Sequence, residues 1–241
     1  MKVLAGKTAI ITGAAGGIGL AVARAMTAEG MHVAMADLDF EKVAAGAESL
    51  GERAWPIAID VSDADSVEAA AEATVERFGG INIAVNNAGI NNGGLSWELS
   101  LDDWRNVLNV NLWGVINGIR SFVPRILAAG GEGHVVNTGS IASVLPFFGS
   151  GPYSASKHAV LAVSDVLRAE LAETEVGVSV VLPGMIKTGM TSVGEDPSIV
   201  ATNVLAGIRN NYPYIYTDGF MTAEVNSRLQ ALQDARGYVA P

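Results

Sequence analysis

The chain alternates short apolar runs with longer stretches whose apolar residues recur every three or four positions. TAIIT (8–12), HVAMAD (32–37), AWPIAIDV (54–61), INIAVNNAG (81–89), HVVNTGS (134–140) and GVSVVLPG (177–184) read as strands. Pro56 has no N–H for a sheet ladder, which confines it to the beginning of the third strand or to an irregular segment. Helical spacing occupies 19–30, 41–51, about 64–78 with Ser62 or Asp63 as cap, 101–130 and 153–173. Strands that are apolar almost throughout must be covered on both faces. Alternated with helices, they predict an α/β fold in one domain, residues 1–241, with a doubly wound parallel sheet.

The last fifty residues are less regular. The piece 187–211 opens with Gly189, Gly194 and Pro197 and then turns helical, and YPYIYTD (212–218) is a last strand candidate. Val225, Leu229 and Leu232 share helical spacing and predict an amphipathic tail helix.

Composition narrows the function. Of 241 residues, 49% are hydrophobic and 17% charged, enough for a large buried core. The net charge of −10 repels phosphate backbones, so no nucleic-acid partner is expected. There is no cysteine, and His32, His134 and His158 have no ligand spacing, so no metal site is expected. No apolar run reaches the roughly 18 residues of a membrane span. The opening segment runs into a glycine turn and reads as a first strand rather than a leader, which makes a cytoplasmic protein the expectation.

That glycine turn is TGAAGGIG (12–19), between the first strand and the first helix. A helix start preceded by glycine offers outward backbone N–H groups and no Cβ to block a phosphate. Asp37 ends the second strand 24 positions after Gly13, where a Rossmann-like unit has a ribose-binding acid. A carboxylate there accepts hydrogen bonds from ribose hydroxyls and repels a 2′-phosphate. No lysine or arginine lies between Gly13 and Gly19 or directly after Asp37, so NAD is favoured over NADP. The spacing GxxxGxG of Gly13, Gly17 and Gly19 departs from the GxGxxG pattern.

Further along, NNAG (86–89), Asn111, Ser140, the Tyr153–Lys157 pair and PGMIKT (183–188) follow in order. Together with the glycine turn, including Ile18, and with Asp60-Val61, these motifs resemble the short-chain dehydrogenase/reductase family over about residues 5–190. The resemblance implies cofactor contacts from Asp60, Val61, Asn87, Ala88, Gly89, Pro183, Gly184, Ile186 and Thr188, as well as from Tyr153 and Lys157. It also implies a catalytic tetrad of Asn111, Ser140, Tyr153 and Lys157. Residues 189–222 would form a substrate lid and the last strand, 223–241 a tail helix, and the long helices a homodimer or homotetramer interface.

The chemistry of the tetrad follows from its residue types. Tyrosine, with a reference pKa of about 10, is a poor base near neutrality. An ammonium four residues on, on the same helix face, favours the phenolate and makes Tyr153 a general acid/base. Ser140 can hydrogen-bond a substrate oxygen. By resemblance, the Asn111 carboxamide or backbone holds a water that connects Lys157 to solvent.

Ile141, Val144, Leu145, Phe147, Phe148, Met185 and Met190 lie in the candidate pocket segments, where Lys187 is the only cation. They point to a neutral hydrophobic secondary alcohol or ketone. A non-catalytic dinucleotide-binding regulator and an epimerase or dehydratase of the same fold remain as alternatives.

Overall fold

The computed structural model describes residues 1–238; the last three residues of the expected tail segment 223–241 lie outside it. Seven strands form one parallel sheet in the order β3-β2-β1-β4-β5-β6-β7. They are β1 Thr8–Thr12, β2 His32–Asp37, β3 Ala54–Ala58, β4 Ile83–Asn86, β5 Gly133–Thr138, β6 Val176–Leu182 and β7 Tyr214–Tyr216. The connecting helices are α1 Gly17–Ala28, α2 Phe40–Leu50, α3 Ala64–Phe78, α4 Leu101–Leu108, α5 Gly114–Ala129, α6 Gly151–Glu170 and α7 Pro197–Asn210; α8 Thr222–Asp234 follows β7.

The two faces of the sheet carry separate cores. Ile11, Val33, Met35 and Val85 pack against α1 and α7 with Met26, Val204 and Ile208. Ile10, Ala34, Ala36 and Ala84 face the other way, with Val67, Phe122, Ile126 and Leu167. This alternation along β1 and β2 is the two-residue period of a strand read out on both faces. The strand order reverses between β1 and β4, and the crevice at their carboxyl ends is where an open α/β sheet binds ligands.

Several elements depart from the sequence reading. Pro56 sits in the middle of β3, opposite Met35, and is tolerated because β3 is the edge of the sheet. The fourth strand ends at Asn86, and the polar end of INIAVNNAG, from Asn87 on, turns toward the glycine loop. Of the two expected caps for α3, Asp63 serves, accepting from the Asp65 N–H, which agrees with the reading.

The stretch 101–130 is not one regular helix: a π-helical turn, Asn109–Trp113, separates α4 from α5. In α8 only Val225 is buried; Leu229 and Leu232 are exposed, so the apolar stripe expected of an amphipathic tail helix is mostly uncovered.

Candidate active site

The glycine turn is built by steric necessity at two positions. Gly13 has φ +68, and a Cβ there would lie 2.8 Å from Ala88 Cα. At Gly19 a Cβ would collide with the carbonyl oxygen of Gly13, so the first turn of α1 can close on β1 only without a side chain. Asn87 fastens this turn to β4, donating to the carbonyls of Thr12 at 3.0 Å and Gly13 at 3.1 Å. The Thr12 hydroxyl accepts from the N–H groups of Asn87 and Ala88 at 2.9 and 3.1 Å.

Beside the turn opens a cleft of about 520 Å³ lined by Gly13, Asp37, Asp60, Val61, Ala88 and Gly89, together with Leu38, Ile59 and Val110. The Asp37 carboxylate accepts from the N–H of Ala15 at 2.9 Å and of Asp39 at 3.1 Å, which aims it at the rim of the turn. The cleft's volume, its glycine floor and the fixed acid fit the adenosine half of a nicotinamide dinucleotide.

Not every residue expected at the cofactor lines that cleft. Ile18 and Ile186 pack into the α1/α7 core. Asn87 and Gly19 shape the turn from below. Gly17 (φ +52) lies under the methyl of Thr188, 3.0 Å from where a Cβ would stand, so Thr188 closes over the turn. The Pro183 carbonyl accepts from Ile141, and Gly184 donates to Asp218.

Asn111, Ser140, Tyr153 and Lys157 converge at the carboxyl ends of β4 and β5. The buried Lys157 amine donates to the Thr138 carbonyl at 2.7 Å and lies 5.6 Å from the Tyr153 ring centroid. Burial lowers its pKa to about 8. Gly89 makes room for it: a Cβ there would stand 3.6 Å from the amine and 3.3 Å from Asn111 Oδ1.

Ser140, at the end of β5, turns its hydroxyl toward the phenol and accepts from the Ala142 N–H at 3.1 Å. Asn111 occupies the π-helical turn, a distortion frequent at functional sites.

One expectation about this cluster changes. Burial raises the Tyr153 pKa, and the interaction with Ser140 only opposes that rise. Desolvation is the larger influence on the phenol, and the Lys157 amine is turned to Thr138. The Asn111 carboxamide, one of the two expected water holders, is already engaged. It exchanges bonds of 2.8 and 2.9 Å with the backbone of Ile90 and donates to Ser156 at 3.1 Å. Both amide N–H groups are thereby used, and the oxygen accepts one bond.

The candidate substrate segments divide. Phe147 and Phe148 line an apolar groove of about 490 Å³ with Leu95, Trp97 and Pro146, against Ser154, Ala155 and His158 of α6. Tyr153 and Lys157 do not line it. Ile141 is buried, while Met185 and Met190 are exposed on the segment after β6. His158 bonds the Ser154 carbonyl at 2.9 Å.

Sequence reasoning missed Thr138, whose contribution is a backbone carbonyl and leaves no mark in residue type. It also missed Ser156, which donates to the Tyr153 carbonyl at 2.7 Å, and Asp218, which holds the N–H groups of Gly184 and Phe220. The asymmetry of YSASK, with a serine directly before the lysine, was the available signal for Ser156.

Fold and cleft together define a Rossmann-like α/β domain with a crevice at its switch point. The family model described as short chain dehydrogenase matches residues 7–197, and the chain belongs to that family. Among its relatives, 1-deoxy-11-beta-hydroxypentalenate dehydrogenase of Streptomyces exfoliatus is 38% identical over 210 residues, 82% of this chain and 76% of that protein. A short chain dehydrogenase/reductase from Burkholderia phymatum, solved in complex with NAD, superposes with a TM-score of 0.95 at 32% identity, covering 100% of this chain and 99% of that one. A 3-ketoacyl-(acyl-carrier-protein) reductase from Brucella melitensis, complexed with NADH, superposes with a TM-score of 0.86 at 26% identity, covering 90% of this chain and 98% of that one.

Proposed function

We propose that this oxidoreductase moves a hydride between NAD(H) and the carbinol carbon of a neutral, hydrophobic secondary alcohol or ketone, with Tyr153 as the general acid/base. The observation that carries the reading is the interaction of the Tyr153 phenol with Ser140, with the Lys157 amine 5.6 Å from the ring centroid and next to Gly89, which lines the cleft. The complex of the Burkholderia phymatum protein with NAD supports the cofactor, and the likeness to a dehydrogenase named for a hydroxy compound supports the CH–OH class.

Gly13, Asp37, Asp60, Val61, Ala88 and Gly89 would hold the adenosine half, Asp37 through the ribose hydroxyls. Thr188 and Lys157 would meet the nicotinamide half. The nicotinamide, when bound, accepts or supplies the hydride. In alcohol oxidation Tyr153 takes the hydroxyl proton; in ketone reduction it returns one. Ser140 donates to the substrate oxygen and stabilises the charge that builds there. Lys157 holds positive charge beside the phenol and lowers the cost of the phenolate once the site is filled. The proton leaves past Lys157 toward the backbone of Asn111, whose π-turn breaks the regular helical ladder.

Residues 189–200 form the lid in this reading. The loop is held at its base by Lys187 N–H to Glu195 O at 2.9 Å and Glu195 N–H to Met185 O at 2.8 Å, and it carries Met190 at its exposed tip. Apolar Leu101 on α4, Trp113 in the π-turn and Val166 on α6 stand exposed and support a homodimer or homotetramer.

Absorbance of the nicotinamide during turnover of apolar secondary alcohols and ketones tests the function, with NAD and NADP in parallel. Turnover that vanishes in Tyr153→Phe is the expected result. Turnover that survives it removes Tyr153 from the chemistry, and turnover confined to small charged acids removes the substrate class.

A further inference from the structure

Asp218 gathers three donors where the sheet ends. The β6–β7 register pairs Leu182 with Tyr216. Pro183 has no N–H to continue the ladder. The next amide, that of Gly184, donates instead to the Asp218 carboxylate at 3.2 Å, and the same oxygen accepts from the Thr217 hydroxyl at 2.9 Å. The other oxygen accepts from the Phe220 N–H at 2.8 Å, just before α8. Among the described residues no lysine or arginine lies within ion-pair distance of this carboxylate, so its bonds go to the chain itself. Gly184 is bare by necessity: a Cβ there would stand 2.5 Å from Asp218 Oδ1 and 2.7 Å from Phe220 Cβ.

The segment 183–188 is anchored on either side of this bond. The Pro183 carbonyl accepts from the N–H of Ile141, the neighbour of Ser140, at 2.9 Å. At the other end Thr188 closes over Gly17. Gly184 lies between the two anchors, and its partner comes from 34 residues further along the chain. The cleft that fits the adenosine half is built by Gly13, Asp37, Asp60 and Val61, and none of Asp218's three donors belongs to it.

We infer that Asp218 is a positioning residue for the nicotinamide half of the dinucleotide. It fixes the segment that carries Thr188, and with it the placement of that half relative to Ser140 and Tyr153. The inference rests on the dinucleotide reading of the cleft. Without the carboxylate, the Gly184 N–H loses its acceptor and the segment is released from the end of β7, while the adenosine cleft keeps every residue that lines it.

The test compares NADH with AMP, which is the adenosine half alone. NADH is titrated into the purified full-length protein by nicotinamide fluorescence, and AMP is measured by its displacement of NADH. Wild type, Asp218→Ala, Asp218→Asn and Gly184→Ala are compared. Asp218→Ala should raise the NADH dissociation constant about tenfold, the size of one hydrogen bond to a charged group, and leave that of AMP unchanged. Gly184→Ala, which drives the carboxylate off the segment, should show the same pattern. Asp218→Asn keeps one acceptor oxygen and should fall between wild type and Asp218→Ala. In wild type, NADH should slow backbone hydrogen exchange in residues 183–188 and 217–221 together, read by mass spectrometry.

An NADH constant that stays at the wild-type value, or rises by the same factor as that of AMP, overturns the inference and confines Asp218 to the stability of the fold. Exchange that slows at 183–188 but not at 217–221 overturns it as well, on a protein that carries no substitution. Failure of wild type to bind NADH overturns the dinucleotide reading itself.

Discussion

Asn111 and Ile90 exchange two hydrogen bonds: the side-chain oxygen accepts from the Ile90 N–H at 2.8 Å, and the side-chain amide donates to the Ile90 carbonyl at 2.9 Å. The pair locks the π-turn between α4 and α5 to the chain that leaves β4. Through Ser156 the same amide reaches the Tyr153 carbonyl. One side chain thereby sets the position of the cleft's floor relative to the helix that carries Tyr153 and Lys157.

Asn111→Ala strands the half-buried backbone N–H and carbonyl of Ile90 and removes a donor to Ser156. A loss of about 2–4 kcal/mol is expected, read as a lower Tm by calorimetry. kcat should fall by at least about tenfold, since the proton path and the alignment of α6 both depend on this residue. A variant with lowered Tm and wild-type kcat would confine Asn111 to stability.

Ser140→Ala separates the two influences on the phenol. Burial raises the Tyr153 pKa and Ser140 opposes the rise, so removing the hydroxyl lets the pKa climb further. The rate of alcohol oxidation should increase with pH as Tyr153 deprotonates. In the variant that rise should move to higher pH, and kcat should fall by about 10²-fold. A profile that keeps its wild-type midpoint would show that Ser140 does not act on Tyr153.

His134 gives a signature in stability against pH. It is buried, with Nε2 2.8 Å from the Ser179 hydroxyl, and burial lowers its pKa from 6.5 to about 3. Between those values the unfolded chain binds the proton and the folded chain does not, so stability falls as the pH drops through this window. His134→Asn removes the titration. The Tm of wild type minus that of the variant should therefore decrease from pH 7 to pH 4; a constant difference would mean that His134 does not titrate on unfolding.

Gly19→Ala places a methyl against the Gly13 carbonyl oxygen, and either the turn or the start of α1 must move. NADH affinity should drop by at least about tenfold, with a loss of about 1–3 kcal/mol from overpacking. Wild-type NADH titrations in a folded variant would show that the turn does not hold the dinucleotide.

Sedimentation tests the exposed helix faces. At micromolar concentration the wild type should sediment as a dimer or tetramer, and a Trp113→Glu, Val166→Glu double variant should shift toward monomer, because both residues are exposed apolar groups on α4–α6 and their connecting turn. A monomeric wild type would remove the interface.

The order of the elements was legible in the sequence because β1 to β6 are apolar on both faces while the intervening helices keep a 3.6-residue period. That contrast is local and survives without tertiary contacts. The glycine turn and the Tyr153–Lys157 spacing were legible for the same reason, since one depends on a missing Cβ and the other on helix geometry. Local pattern could not show what depends on distant chain.

Pro56 is tolerated mid-strand because β3 is at the sheet's edge, which is a property of strand order. The π-turn at Asn111 follows from the bonds its amide makes with Ile90, 21 residues earlier. The balance on Tyr153 went to burial because neighbouring elements remove its water and draw the lysine amine to Thr138. Lys42 comes beside Gly16 because the first turn of α2 starts at the carboxyl end of β2, next to the glycine turn, which no spacing along the chain specifies. The sequence by itself determined the fold class and the residue types of the site, which arise from backbone sterics and periodicity. Tertiary structure decided their charge states and partners, which arise from desolvation and from contacts between elements far apart in the chain.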